Sequence, residues 1–146
     1  VIDEKRFMLR ALDVSKNALP YCQPNPPVGC VLVANGDIVA EGFTQPIGGH
    51  HAEVEALGKL SSNIDIKTVT AYVTLEPCSF IGRTPACAET LLNSGIGKVV
   101  VSLLDPDRRN NGAGIAMLQQ GGVHVEVGLA RDEVETFLTP YLGLSW

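Results

Sequence analysis

The run Lys98-Val99-Val100-Val101-Ser102-Leu103-Leu104 narrows the possible folds more than any other stretch of this chain. Its apolar residues do not alternate with polar ones, so a strand made from it must be covered on both faces, as in a sheet held between helices. A loop, a helix near residues 114–120 and a strand over residues 123–127 come next. A connection of that length fits a parallel crossover rather than a hairpin. The run is therefore expected as a central strand, the fourth of the chain, parallel to the fifth.

The rest of the chain supplies partners for that strand. Across residues 4–19, Phe7, Ala11, Val14 and Ala18 share one helical face with Met8 and Leu12 beside it, and Pro20 stops the helix. The prolines within residues 22–27 dictate an ordered, non-helical loop. Residues 28–34 and 37–43 flank Asn35-Gly36, the dipeptide that best tolerates the positive φ angles of a two-residue hairpin. Ala52, Ala56, Leu57 and Leu60 mark a second helix, and residues 68–75 a third strand. Thr84 as N-cap and Pro85 in the first turn announce a helix that Gly95 ends, and a short helix over residues 131–138 packs the C-terminus. With 146 residues and 45% apolar content, a single domain can build a hydrophobic core without covalent staples. The expected fold is α/β: a three-layer α/β/α sandwich around a mixed five-stranded sheet, with residues 1–146 as one domain.

Three residues have the chemistry of metal ligands. His51, Cys78 and Cys87 offer an imidazole and two thiols, and Glu53 adds a carboxylate two residues after the histidine. A structural zinc site closes its tetrahedron with four protein ligands, whereas a catalytic one uses three and leaves the last position to water. Hydrolysis at such a site needs a group to carry protons, and Glu53 is the candidate general acid/base. Residues two apart on a helix point to nearly opposite sides, so His51 must lie at the helix entrance for both side chains to meet. Cys87 is expected in the first turn of the next helix and Cys78 at a strand end. A His-x-Glu triplet alone is common, and two cysteines nine residues apart are more often core fillers; the combination is what carries weight. His50 is expected either to line the pocket or simply to precede the helix, and His124 to be a half-exposed strand residue. Cys22 and Cys30 are read as a loop thiol and a core thiol.

Charge and cysteine usage limit the partners. A net charge of −5, from eleven basic and sixteen acidic residues, argues against nucleic acid or an anionic membrane as partner. No run of about 18 apolar residues exists. Four cysteines, two of them in the metal pattern, do not resemble the framework of a small secreted domain, and a reducing cytoplasm is the expected compartment.

Nucleobase deaminases carry His-x-Glu followed by Pro-Cys-x-x-Cys; here eight residues separate the cysteines. Together with Pro24-Asn25-Pro26-Pro27-Val28-Gly29, the segment from His51 through Leu57, Thr74-Leu75-Glu76-Pro77-Cys78-Ser79, the segment from Gly82 through Cys87, and Asp105-Pro106, the chain resembles the deaminase domain of riboflavin-biosynthesis pyrimidine deaminase/reductases over nearly its whole length. The resemblance implies a cytidine deaminase-like fold. It also implies zinc on His51, Cys78 and Cys87, proton transfer by Glu53, and hydrolysis of the 2-amino group of a 5-amino-6-(phosphoribosylamino)pyrimidinone with release of ammonia. Asn25 and Arg83 are implied as substrate contacts, Arg83 at the phosphate. His50, Ala52, Pro77 and Asp105 are expected around the ring, with the Pro77-Cys78 backbone orienting it. A homo-oligomer without a reductase domain is expected.

Three wall positions depart from the family pattern. Thr44 and Phe80 stand where the family usually has histidine, and Asp107 where it has asparagine. Lost imidazoles and an added carboxylate are expected to weaken phosphate binding. The alternatives are the same chemistry on a pterin, purine or secondary-metabolite precursor, and a non-catalytic zinc-stabilised binding subunit. A polynucleotide deaminase would need a basic groove, against the acidic balance.

Overall fold

A computed structural model describes residues 3–81 and 85–142. Helix α1 (Glu4–Ser15) begins at Asp3, whose carboxylate accepts a hydrogen bond from the Lys5 amide at 3.1 Å. Phe7, Met8, Ala11 and Val14 form its buried stripe, as their spacing predicts. A 3₁₀ turn over Lys16–Ala18 leads to Pro20, so the α-helix ends a turn earlier than the proline alone suggests.

Strands β1 (Gly29–Ala34) and β2 (Asp37–Phe43) form the expected hairpin. Asn35 and Gly36 take φ angles of 53° and 80°, the two positive values that turn requires. The chain continues through α2 (Ala52–Gly58), β3 (Val69–Leu75), α3 (Cys87–Ser94), β4 (Lys98–Leu103), α4 (Ala113–Gln120), β5 (His124–Val127) and α5 (Arg131–Leu138).

The sheet order is β2-β1-β3-β4-β5, with β1 antiparallel to both neighbours and β3, β4 and β5 mutually parallel. The parallel crossover between β4 and β5 is present, but the middle place belongs to β3 rather than β4. The strand itself lies where the sequence places it, but the hydroxyls of Thr70, Tyr72 and Thr74 make it look less buried than the Lys98–Leu104 run. Burial of β3 is possible because the Tyr72 phenol donates to Glu4 at 2.9 Å and the Thr74 hydroxyl accepts from the Gly29 amide at 3.1 Å.

Side chains alternate across the sheet and divide the core in two. One face sends Val31, Val33, Tyr72 and Val100 against Phe7, Met8 and Ala11 of α1 and Val134 and Leu138 of α5. The other sends Leu32, Val73, Val99 and Val101 against Ala56 of α2, Leu91 of α3 and Leu118 of α4. This is the expected three-layer sandwich. The parallel strands β3 and β4 both end, at Leu75 and Leu103, toward the same rim, where open α/β sheets hold their ligands.

Candidate active site

Three segments converge at that rim. His51 caps α2 with extended backbone (φ −74°, ψ 168°), which frees its ring from the helix face. Cys78 lies in the loop after β3, and Cys87 is the first residue of α3. His51 Nδ1 stands 3.0 Å from Cys87 Sγ and 3.9 Å from Cys78 Sγ. The three donor atoms lie within 4.8 Å of one another. Ligands at zinc distances of ~2.0–2.3 Å on a tetrahedron are about 3.5 Å apart, so the spacing suits a soft divalent ion with one coordination position left over.

The start of α3 is solved differently from the sequence expectation. Ala86 is the N-cap and offers no side-chain bond; Thr84 lies outside the described residues. Cys78 instead satisfies the first helical donors, its sulfur accepting from the Cys87 amide at 3.2 Å and its carbonyl from the Ala88 amide at 3.0 Å. One metal-type ligand thus orders the helix that presents the other.

A hydrogen bond from Cys87 to Cys78 sets the protonation of the two thiols in opposite directions. The hydrogen bond from Cys87 holds Cys78 well down, to about 4, with further help from His51 and the Cys87 amide against the opposing effect of burial. That same bond, together with burial, pushes Cys87 far up. His51 is raised, first by its bond to Cys78. A metal cation would take the place of the proton in that bond and ionise both thiols. Glu53, only 4% exposed, is pushed up to about 7 by burial, with His51 pulling down and Cys78 pushing up. A carboxyl poised near neutrality is suited to accept and return protons.

His51, Cys78 and Glu53 line a cavity of about 310 Å³, with Cys87 buried beside them. Of the remaining predicted residues, Asn25, Thr44, Phe80 and Asp105 line it too. Thr44 is nonetheless turned to internal work: its hydroxyl accepts from the Val28 amide at 3.0 Å and lies 3.3 Å from the Pro26 carbonyl, bracing the proline loop. His50 is exposed and faces Glu55 at 3.2 Å, Ala52 is fully buried, and the Pro77 carbonyl is taken by Asn110. Asp107 is ion-paired with Arg109. None of these four is among the described lining residues, and Arg83 lies outside the described residues.

Sequence reasoning passed over Glu76, Asn110 and Arg109. Buried Glu76 accepts from the amides of Asp105 (3.1 Å), Gly112 (2.9 Å) and Ile115 (3.1 Å), tying the loop after β4 and the start of α4 to the end of β3. Asn110 adds bonds to Pro77 O, Asp105 Oδ2 and the Gly114 amide. The available signal was an acidic residue at an apolar strand end, two positions before Cys78. Asp105 is raised by its burial, and bonds from the Asp107 amide and Asn110 oppose that rise.

Residues 2–103 match the cytidine and deoxycytidylate deaminase zinc-binding region, and the chain belongs to that deaminase family. Within it, the chain is similar to the riboflavin biosynthesis protein RibD of Aquifex aeolicus, 40% identical over 98% of this chain and 42% of that protein. It is also similar to the diaminohydroxyphosphoribosylamino-pyrimidine deaminase of Buchnera aphidicola, 40% identical over 92% of this chain and 90% of that protein. The solved structure of Acinetobacter baumannii RibD, form 2, superposes with a TM-score of 0.89 at 39% identity, covering 95% of this chain and 39% of the other. The chain thus spans about two fifths of the RibD proteins it matches. The family and fold implied by the motifs are those found.

Proposed function

We propose that the protein is a zinc-dependent hydrolase that removes the exocyclic amino group of diaminohydroxyphosphoribosylaminopyrimidine. The observation that carries this reading is the convergence of His51, Cys78 and Cys87, two of which line a cavity with the buried carboxyl of Glu53. The substrate is suggested by the activity for which the Buchnera relative is named, a protein that this chain covers over 90% of its length.

His51, Cys78 and Cys87 would hold the zinc, with the imidazole neutral and both thiols ionised. When bound, zinc supplies a Lewis acid that brings the pKa of water toward neutrality. The Glu53 carboxylate takes a proton from the attacking water as its oxygen bonds to the carbon bearing the amino group. That proton goes to the ring nitrogen as the oxygen adds; Glu53 then takes the remaining hydroxyl proton and delivers it to the amino nitrogen, so that the carbon–nitrogen bond breaks, a carbonyl forms and ammonia leaves. Asn25, Phe80 and Asp105 wall the ring and ribose, and Arg83 takes the phosphate. Ala52, Pro77 and Asp107 support these walls from behind rather than through side-chain contact with substrate, and His50 faces Glu55 outside them.

The reading includes a homo-oligomer, to which the exposed Tyr21, Ile47 and Ile81 offer apolar surface. It also includes a reducing, cytoplasmic setting, consistent with four free thiols. No helix among the described residues is long and apolar enough to cross a membrane.

Thr44 and Phe80 on the cavity wall favour, as a second reading, the same chemistry on another aminated heterocycle. Ammonia release from the phosphoribosylaminopyrimidine, from its dephosphorylated form and from a panel of aminated purines and pterins separates the two. Preferred turnover of the phosphorylated pyrimidine is expected; release only from a purine or pterin would reassign the pocket.

A further inference from the structure

The replacement of an amide by Asp107 was expected to repel a phosphate, yet the structure puts that charge to another use. Asp107 grips Arg109: Nε lies 3.2 Å from both carboxylate oxygens and Nη2 lies 2.7 Å from Oδ2. The Asp107 side chain is only 6% exposed, whereas that of Arg109 is 54% exposed. The same carboxylate accepts from the Arg109 backbone amide at 2.8 Å, fixing the turn as well as the side chain. The guanidinium lies 4.2 Å from the centroid of the Phe80 ring, and the Arg109 carbonyl accepts from Ser79 Oγ at 3.4 Å. Two of the three unexpected wall residues, Phe80 and Asp107, therefore serve one arginine. That arginine lines the same cavity as His51 and Glu53.

A guanidinium fixed along one edge and stacked on one face has already lost most of its rotamer freedom, so little more is lost when it meets an anion. Its planar fork matches phosphate oxygens. With Arg108 beside it, the Asp107-Arg108-Arg109 segment keeps a net positive charge. We propose that Arg109, held by Asp107 and Phe80, is a specificity-determining contact for the phosphomonoester of the substrate. This rests on the deaminase reading for its reacting end, but the anion contact can be tested without turnover. Asp107 is a positioning residue, and Arg109 makes the contact.

The test is calorimetric titration of ribose 5-phosphate, with ribose as control, into the zinc-loaded chain and its Arg109→Ala, Arg109→Gln, Asp107→Asn and Arg108→Ala variants. Steady-state ammonia release from phosphorylated and dephosphorylated substrate is measured on the same proteins. Both Arg109 variants are expected to weaken ribose 5-phosphate by about tenfold or more, with ribose unaffected. Arg108→Ala, without that grip and stack, is expected to lose less. Asp107→Asn is expected to fall between wild type and Arg109→Ala. In turnover, kcat/KM for the phosphorylated substrate falls by a larger factor than kcat/KM for the dephosphorylated form, mainly through KM. Equal affinity in wild type and Arg109 variants, no binding by wild type at millimolar concentration, or tighter binding by Asp107→Asn would overturn the proposal. Arg109-dependent binding without ammonia release would sink the deaminase reading and leave this contact standing. Ammonia release with an Arg109-independent KM would do the reverse.

Discussion

Glu53 and Glu76 are both buried carboxyls on the same cavity wall, and their surroundings assign them opposite tasks. Glu76 has its oxygens committed to three backbone amides and cannot move a proton without dropping a loop. Glu53 is raised to about 7 by burial, so both of its protonation states are within reach near neutrality. Glu53→Gln is expected to lower turnover by at least about 10²-fold while leaving zinc content unchanged, read by single-turnover ammonia release and metal analysis. Glu76→Gln keeps the shape but weakens charge-assisted bonds, with an expected loss of about 1–3 kcal/mol in urea unfolding. Its activity should fall as well, because Asp105 hangs from the same carboxylate. Unchanged stability in Glu76→Gln would remove the strut role. The convergence of His51, Cys78, Cys87 and Glu53 was legible from residue type and spacing, since few other uses bring an imidazole, two thiols and a carboxylate together. Glu76 was not, because a carboxylate that accepts from backbone amides leaves no periodic trace in the chain.

At the level of elements, the sequence located helices and strands within a few residues but not what holds their ends. The hairpin was legible because Asn35-Gly36 meets a requirement for two positive φ angles that few dipeptides meet. The start of α3 was misjudged because its donors are capped by Cys78, nine residues before Cys87 and on another element, where no local rule looks. The place of β3 was hidden by hydroxyls whose partners come from α1 and β1. Another close approach was equally hidden: α4 lies so near the loop after β3 that a Cβ on Gly114 would come 2.0 Å from the Pro77 carbonyl. Gly114→Ala must therefore push α4 away from Pro77-Cys78. A destabilisation of about 1–3 kcal/mol is expected, together with weaker zinc retention against a chelator. Wild-type zinc retention in a destabilised Gly114→Ala protein would show that α4 does not support the metal loop.

For the whole molecule, two cores on opposite faces of one sheet carry stability, while the rim carries chemistry. Leu91 lies fully buried in the core beneath α3, away from the cavity lining. Leu91→Ala is expected to lose about 2–5 kcal/mol of unfolding free energy, with zinc affinity in the folded protein little changed. The three donors come from separate segments, so metal binding is expected to depend on the folded arrangement. Zinc at about 100 times its Kd should add ~2.7 kcal/mol, seen as a rise in Tm that a chelator reverses and His51→Ala abolishes. A Tm indifferent to both zinc and chelator would mean that the three donors do not bind the metal together. The measurement that bears most directly on the account is ammonia released from the phosphoribosylaminopyrimidine by wild type and Glu53→Gln, with zinc assayed in both. About one zinc per chain is expected in each protein, and ammonia from wild type alone. Wild-type turnover by Glu53→Gln, or zinc-loaded wild type that releases no ammonia from any aminated heterocycle, would contradict it.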